Sequence, residues 1–182
     1  MDDKILKELG EFLEDYSCLS LKVLDNNTLQ VVFKSIVVLT LMATPKKEFY
    51  LESFITIDDS CIVGNSFFYP DSKEILDDVI NVIKRFVDIL YKFREIVKQL
   101  DCTKMDGECI AYSFDLNDDN LLVLSLSNVG FATTMYCKNG INLDKEYLEL
   151  IMYVSNSLNT PLIIKTTNSV DVSMKEIKFF TD

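Results

Sequence analysis

Histidine and tryptophan are both absent from this 182-residue chain, and glycine (5) and proline (3) are scarce. Without histidine there is no Ser-His or Cys-His nucleophile pair and almost no route to an imidazole-based metal site. Gly10, Gly64, Gly107, Gly130 and Gly140 stand alone, so no glycine-rich loop can cradle a phosphate. The hydroxyl in Gly64-Asn65-Ser66 lacks the second glycine of a nucleophile elbow. Of the 18 basic residues only Arg85 and Arg94 are arginine, and no basic stripe exists to follow a phosphate backbone. Direct nucleic-acid binding is therefore not expected. The longest apolar stretch, Ile36 to Ala43, is far too short to span a bilayer, which argues against a membrane partner.

The amino-terminal sequence MDDKILKELGEFLEDY is acidic and amphipathic, the reverse of a basic signal-peptide start. The expected location is a cytoplasm, that of the host if the protein is viral. The five cysteines, Cys18, Cys61, Cys102, Cys109 and Cys137, are odd in number and scattered, which fits reduced thiols rather than a disulfide framework. A sequon at Asn26 would then never meet the glycosylation machinery. No two cysteines lie close enough in sequence to suggest a thiolate zinc site.

Acidic charge is what the chain has in excess, 29 acidic residues against 18 basic ones for a net charge of −11. The acids recur as Glu8, Glu11, Glu14 and Asp15, then Asp58 and Asp59, then Asp115, Asp118 and Asp119. They read as a solvated surface that keeps a partner-binding protein soluble. The alternative is an acidic mimic that occupies the nucleic-acid groove of a basic target, as a viral or phage counter-defence inhibitor would. Scarce arginine and alanine beside abundant Lys, Asn, Ile, Asp and Phe indicate an AT-rich genome, microbial or viral.

Hydrophobic patterning is strongest over 71–100, where Val79, Ile83, Phe86, Leu90, Phe93, Val97 and Leu100 alternate steps of four and three. That spacing predicts a long central helix with a coiled-coil-like seam. Asp71 is placed to cap it, with Glu74 three residues on, Pro70 keeps the preceding chain extended, and Lys92, Arg94 and Lys98 suit its negative C-terminal end. Leu76, Ile80 and Val87 run along one flank and Val82, Ile89 and Ile96 along the other. The apolar surface is then wider than one sheet face needs, so two clients are expected: the protein's own sheet and a second helix from another copy or another protein. Val79, Ile83, Phe86, Leu90, Phe93 and Val97 are the candidate partner-binding residues.

Around this helix the chain predicts an α+β fold. A short N-terminal helix buries Ile5, Leu6, Leu9, Phe12 and Leu13. Strands are expected at 19–24, 29–33, 36–43, 49–57 and 61–69, paired up and down through short turns at Asp25-Asn26-Asn27-Thr28, Pro45-Lys46-Lys47 and Asp58-Asp59-Ser60. The apolar character of 36–43 predicts a strand buried on both faces. After the long helix come strands at 108–116, 121–126 and 129–137, with Gly140 as a positive-φ candidate in the turn that follows. A C-terminal helix capped by Asp144 follows, with Leu148, Ile151, Met152 and Leu158 as its apolar side and Pro161 as its stop. Strands at 162–166 and 170–180 close the chain, the last an edge blunted by Lys175 and Lys178.

A weak internal repeat lies in this order. EFLEDYSC parallels REIVKQLDC, and NNTLQVVFKSIVVLTL can be laid beside DDNLLVLSLSNVGFAT. The chain is expected to form one compact domain over 1–182, with two similar α+β halves, 1–70 and 101–182, joined by the helix 71–100. At the level of fold the layout resembles two known architectures. Tandem RWD domains, adaptor modules of kinetochore and ubiquitin-pathway proteins, share the order helix, four strands, helix, and Phe68-Tyr69-Pro70 is similar to their Tyr-Pro turn without its second proline. Class I type III secretion chaperones are likewise small, acidic, α+β and dimeric through a helix, though this chain is longer and has extra strands. Both likenesses imply a protein that works by binding other proteins.

Two carboxylate patterns have candidate chemistry. Asp115, Asn117 and Asp119 match the first ligands of an EF-hand loop, but Asn120 replaces its glycine and Leu126 its bidentate Glu, so a hairpin turn is expected and no metal. Asp58 and Asp59 sit in a turn where nothing would desolvate them and raise a pKa. The expectation is thus a non-enzymatic cytoplasmic interaction module, an adaptor, chaperone or inhibitor, without cofactor, that binds another protein or itself as a homodimer.

Overall fold

A computed structural model of the protein describes residues 3–46, 48–55, 65–69, 72–106, 109–138 and 143–167. It is α+β, with three helices and two five-stranded sheets among the described residues. The chain divides into two compact units, Met1–Val87 and Asp88–Asp182. The boundary falls inside the long central helix. The expected N-cap at Asp71, the turns at 58–60 and 139–140, and the strand 170–180 with its two lysines lie outside the described residues.

The first unit begins with α1 (Asp3–Leu13), which buries Ile5, Leu9 and Leu13 at the i, i+4 spacing that brings one face together. Its outer face carries the exposed pairs Lys4–Glu8 and Lys7–Glu11, 3.6 and 3.8 Å apart, each worth no more than about 0.5 kcal/mol. A meander follows: β1 (Leu19–Val23), β2 (Thr28–Phe33), β3 (Ile36–Ala43), β4 (Phe49–Ser53) and β5 (Asn65–Tyr69), all antiparallel and ordered as in the chain. In the turn between β1 and β2 the Asn27 amide donates to Asp25 Oδ1 at 2.7 Å, which holds that carboxyl below its ordinary range. Strand β4 stops short of the expected 57. The Ser53 hydroxyl accepts the Ile55 amide proton at 3.0 Å and donates to the Ile55 carbonyl at 3.1 Å, closing the chain on itself.

Strand β3 is not buried on both faces. Its register with β2 slips between Val31 and Val32, which pair with Leu39 and Val37, so Val38 is an extra residue. This bulge puts Val38 and Leu39 both in the interior while Val37, Thr40 and Met42 remain partly exposed. The continuous apolar run therefore encodes a bulged, one-sided strand. Leu29, Val31, Phe33, Leu39, Leu41 and Leu51 form the buried side of this sheet, and the Phe33 ring meets Phe86 of the central helix with centroids 5.7 Å apart.

The central helix, α2, runs from Ser72 to Gln99, about 42 Å at 1.5 Å per residue. It ends where Asp101 adopts a left-handed conformation (φ 51°) and the Cys102 amide reaches back to the Val97 carbonyl at 3.0 Å. Its part from Asp88 onward belongs to the second unit.

There it is followed by β6 (Thr103–Met105), β7 (Ile110–Asn117), β8 (Asn120–Ser127) and β9 (Gly130–Lys138), an antiparallel meander again. β6, three residues long, is too short for any alternation to announce it. Helix α3 (Lys145–Leu158) then crosses over to β10 (Leu162–Thr167), which pairs parallel to β9, so this sheet is mixed. Asp144 occupies the N-cap position of α3, as its sequence suggests, but its side chain makes no capping hydrogen bond. The helix stops before Pro161 acts, because Asn159 turns left-handed (φ 50°) and its amide and that of Thr160 return to the Asn156 and Ser155 carbonyls.

Phe93 of α2 lies against Tyr112 of β7 and Phe131 of β9, and Thr133 of β9 shares a 2.9 Å hydrogen bond with Thr160 after α3. Both helices thus cover the face that carries Leu122, Leu124 and Leu126. On the opposite face Ala111, Leu121, Val123 and Tyr136 form a second buried cluster, joined by the partly buried Met105 and Cys109. β8 is therefore the strand enclosed on both sides. No described helix is long and apolar enough to cross a membrane.

Candidate functional site

The seam of α2 is engaged inside the chain. Val79, Ile83, Phe86, Leu90 and Phe93 are buried, and Val97 is half-buried. Val79, Ile83 and Phe86 belong to the first unit, whereas Leu90, Phe93 and Val97 belong to the second. The six therefore do not form one continuous exposed surface. Both flanks are spoken for as well, since Val82, Val87, Ile89 and Ile96 are buried and Leu76 and Ile80 half-buried. The helix is broad in its apolar face because this chain covers the seam together with residues on both of its flanks.

Exposed large apolar side chains lie elsewhere, at Val23 and Leu24 in the first unit and at several positions in the second. On α3 the buried stripe is Ile151, Val154, Ser155 and Leu158, spaced i, i+3, i+4, i+7. At about 100° per residue, Leu148 and Met152 sit one turn apart on a flank rotated away from that stripe. They are 42% and 61% exposed. The expected apolar side of this helix was thus half right: Ile151 and Leu158 face inward, but Leu148 and Met152 do not. The missing signal was Val154 with the small Ser155, which complete the inward stripe and leave no room in it for Leu148 or Met152. Tyr153, 55% exposed, occupies the other side of the same helix, and Tyr91 of α2 is 59% exposed.

Between the two helices of this unit lies a half-open groove of about 160 Å³ lined by Lys92, Glu95, Ile96 and Gln99 from α2 and by Tyr153 and Ser157 from α3. It brings together one ammonium, one carboxylate, one amide and two hydroxyls. The groove has room for a small polar group or a single side chain.

The Asp115-Asn117-Asp119 pattern forms a hairpin turn. Asn117 Oδ1 accepts the Asp119 amide at 3.0 Å and the Asn120 side-chain amide at 2.8 Å, so it organises the β7–β8 hairpin turn. Asn120 and Leu126 are fully buried in the strand that follows. Among the described residues no group of three or more Cys, Asp or Glu side chains is placed to hold a metal ion. Cys18, Cys102 and Cys137 are free thiols. Burial, reinforced by the neighbouring Asp101 carboxylate, pushes the Cys102 thiol up to about 11, and burial alone raises Cys137. Neither is a poised nucleophile. The Asp58–Asp59 pair lies outside the described residues.

No protein-family model, no curated protein and no solved structure matches the chain.

Proposed function

We propose that the protein is a non-enzymatic interaction module, an adaptor, chaperone or inhibitor, that binds another protein or a second copy of itself through the helical layer of its second unit. The observation that carries this reading is the pair Leu148 and Met152, two large apolar side chains one helical turn apart and turned to solvent on a helix that already has a complete buried stripe. Folding does not require them to be apolar. Single exposed apolar residues are ordinary, but a paired flank on a helix of this kind is a typical anchor for a partner surface. Tyr153, which lines the groove between the two helices, and Tyr91, next in sequence to its Lys92, add amphipathic contact area of the type enriched at interfaces. Free thiols in the described part of the chain support a reducing, cytoplasmic setting. A net charge of −11 keeps the unbound form soluble.

The test compares wild type with the double variant Leu148→Glu/Met152→Glu. Light scattering reads self-association, and affinity capture from the source cell, or from its host, reads a foreign partner. The expected result is an assembly made by wild type and lost in the variant, with superimposable thermal melts. Wild type that is monomeric and captures nothing reproducible would overturn the reading. An assembly that survives the double variant but dissolves steeply with salt would move the contact to the acidic surface, as a mimic of nucleic acid requires.

A further inference from the structure

We draw no further inference here: the strongest candidate, the exposed flank of α3 formed by Leu148 and Met152, already carries the proposed function, and nothing in the structure shows what covers it.

Discussion

The rings of Phe93 on α2 and Phe131 on β9 meet with centroids 5.6 Å apart and planes inclined by 54°. Tyr112 closes on the same Phe93 ring from β7 at 5.9 Å, edge to face, so Phe93 joins the helix to two strands that flank β8. Phe93→Ala should cost about 3–5 kcal/mol of stability in chemical denaturation. That is a large share of the roughly 5–15 kcal/mol available to a domain. Phe93→Glu should leave the second unit unfolded, because it buries a carboxylate with no partner. A Phe93→Glu protein that keeps its wild-type melt while losing an assembly would show instead that the seam is a surface.

Helix α3 offers a sharper contrast, because neighbouring residues in its sequence should behave oppositely. Ile151 is buried, and Ile151→Ala should lose about 2–5 kcal/mol. Met152 is exposed, and Met152→Ala should change stability by no more than about 0.5 kcal/mol. Urea titrations of the two variants at one protein concentration decide the rotation of the helix. Equal losses at both positions would mean that the helix buries a different stripe.

These two helices also show what could be read in advance and what could not. The class of fold, the order of elements apart from β6 and the span of α2 follow from period and punctuation: a 3.6-residue rhythm without Gly or Pro over 72–99, and alternation broken by Asn, Asp and Gly elsewhere. Features set by three-dimensional neighbours do not. The bulge at Val38 looks in sequence like a strand enclosed on both faces, while β8, which is so enclosed, reads as an ordinary hairpin strand. The parallel pairing of β10 depends on where α3 lands, not on the residues of Leu162–Thr167 themselves. An apolar stripe on α2 announces that something covers it but not whether the cover is the same chain. For that reason the six seam residues were legible as apolar contacts, and the exposed pair on α3 was not legible as a surface.

The C-terminal end of α2 makes a prediction about pH. In the folded protein the Cys102 thiol is raised from 9.0 to about 11, chiefly by burial and secondarily by Asp101. The native state then holds the proton more tightly than the unfolded chain does. Its contribution to stability is complete below pH 9 and declines as pH climbs from about 9 to about 11. Alkylation of Cys102 by iodoacetamide at pH 8 should be much slower in the native protein than after denaturation, as followed by peptide mass spectrometry. Asp101→Asn should lower the pKa only in part, since burial remains. The same change should stabilise the fold by about 0.3–1 kcal/mol, because Asn suits the left-handed conformation and no longer sets a negative charge at the negative end of the helix. Native Cys102 reacting at pH 8 as fast as the denatured thiol would contradict the burial on which this rests.

The hairpin turn between β7 and β8 tests the separation of an ion loop from a structural turn. Its Asp115, Asn117 and Asp119 have the spacing of calcium ligands, but the Asn117 side-chain oxygen is already committed to the Asp119 amide and to the Asn120 side chain. A cation would have to displace both bonds. It would also have to do without the bidentate Glu, because the corresponding position is Leu126, buried in β8. Removing the charge while keeping the shape, as in Asp119→Asn, should therefore leave the thermal midpoint unchanged within error. Removing the organising side chain, as in Asn117→Ala, should cost about 1–3 kcal/mol, since it strips a hydrogen-bond partner from the Asn120 amide. Melts of wild type recorded with excess chelator and with millimolar calcium should coincide. A calcium-dependent rise in midpoint that Asp119→Asn abolishes would identify the turn as an ion site and displace the structural account of Asn117.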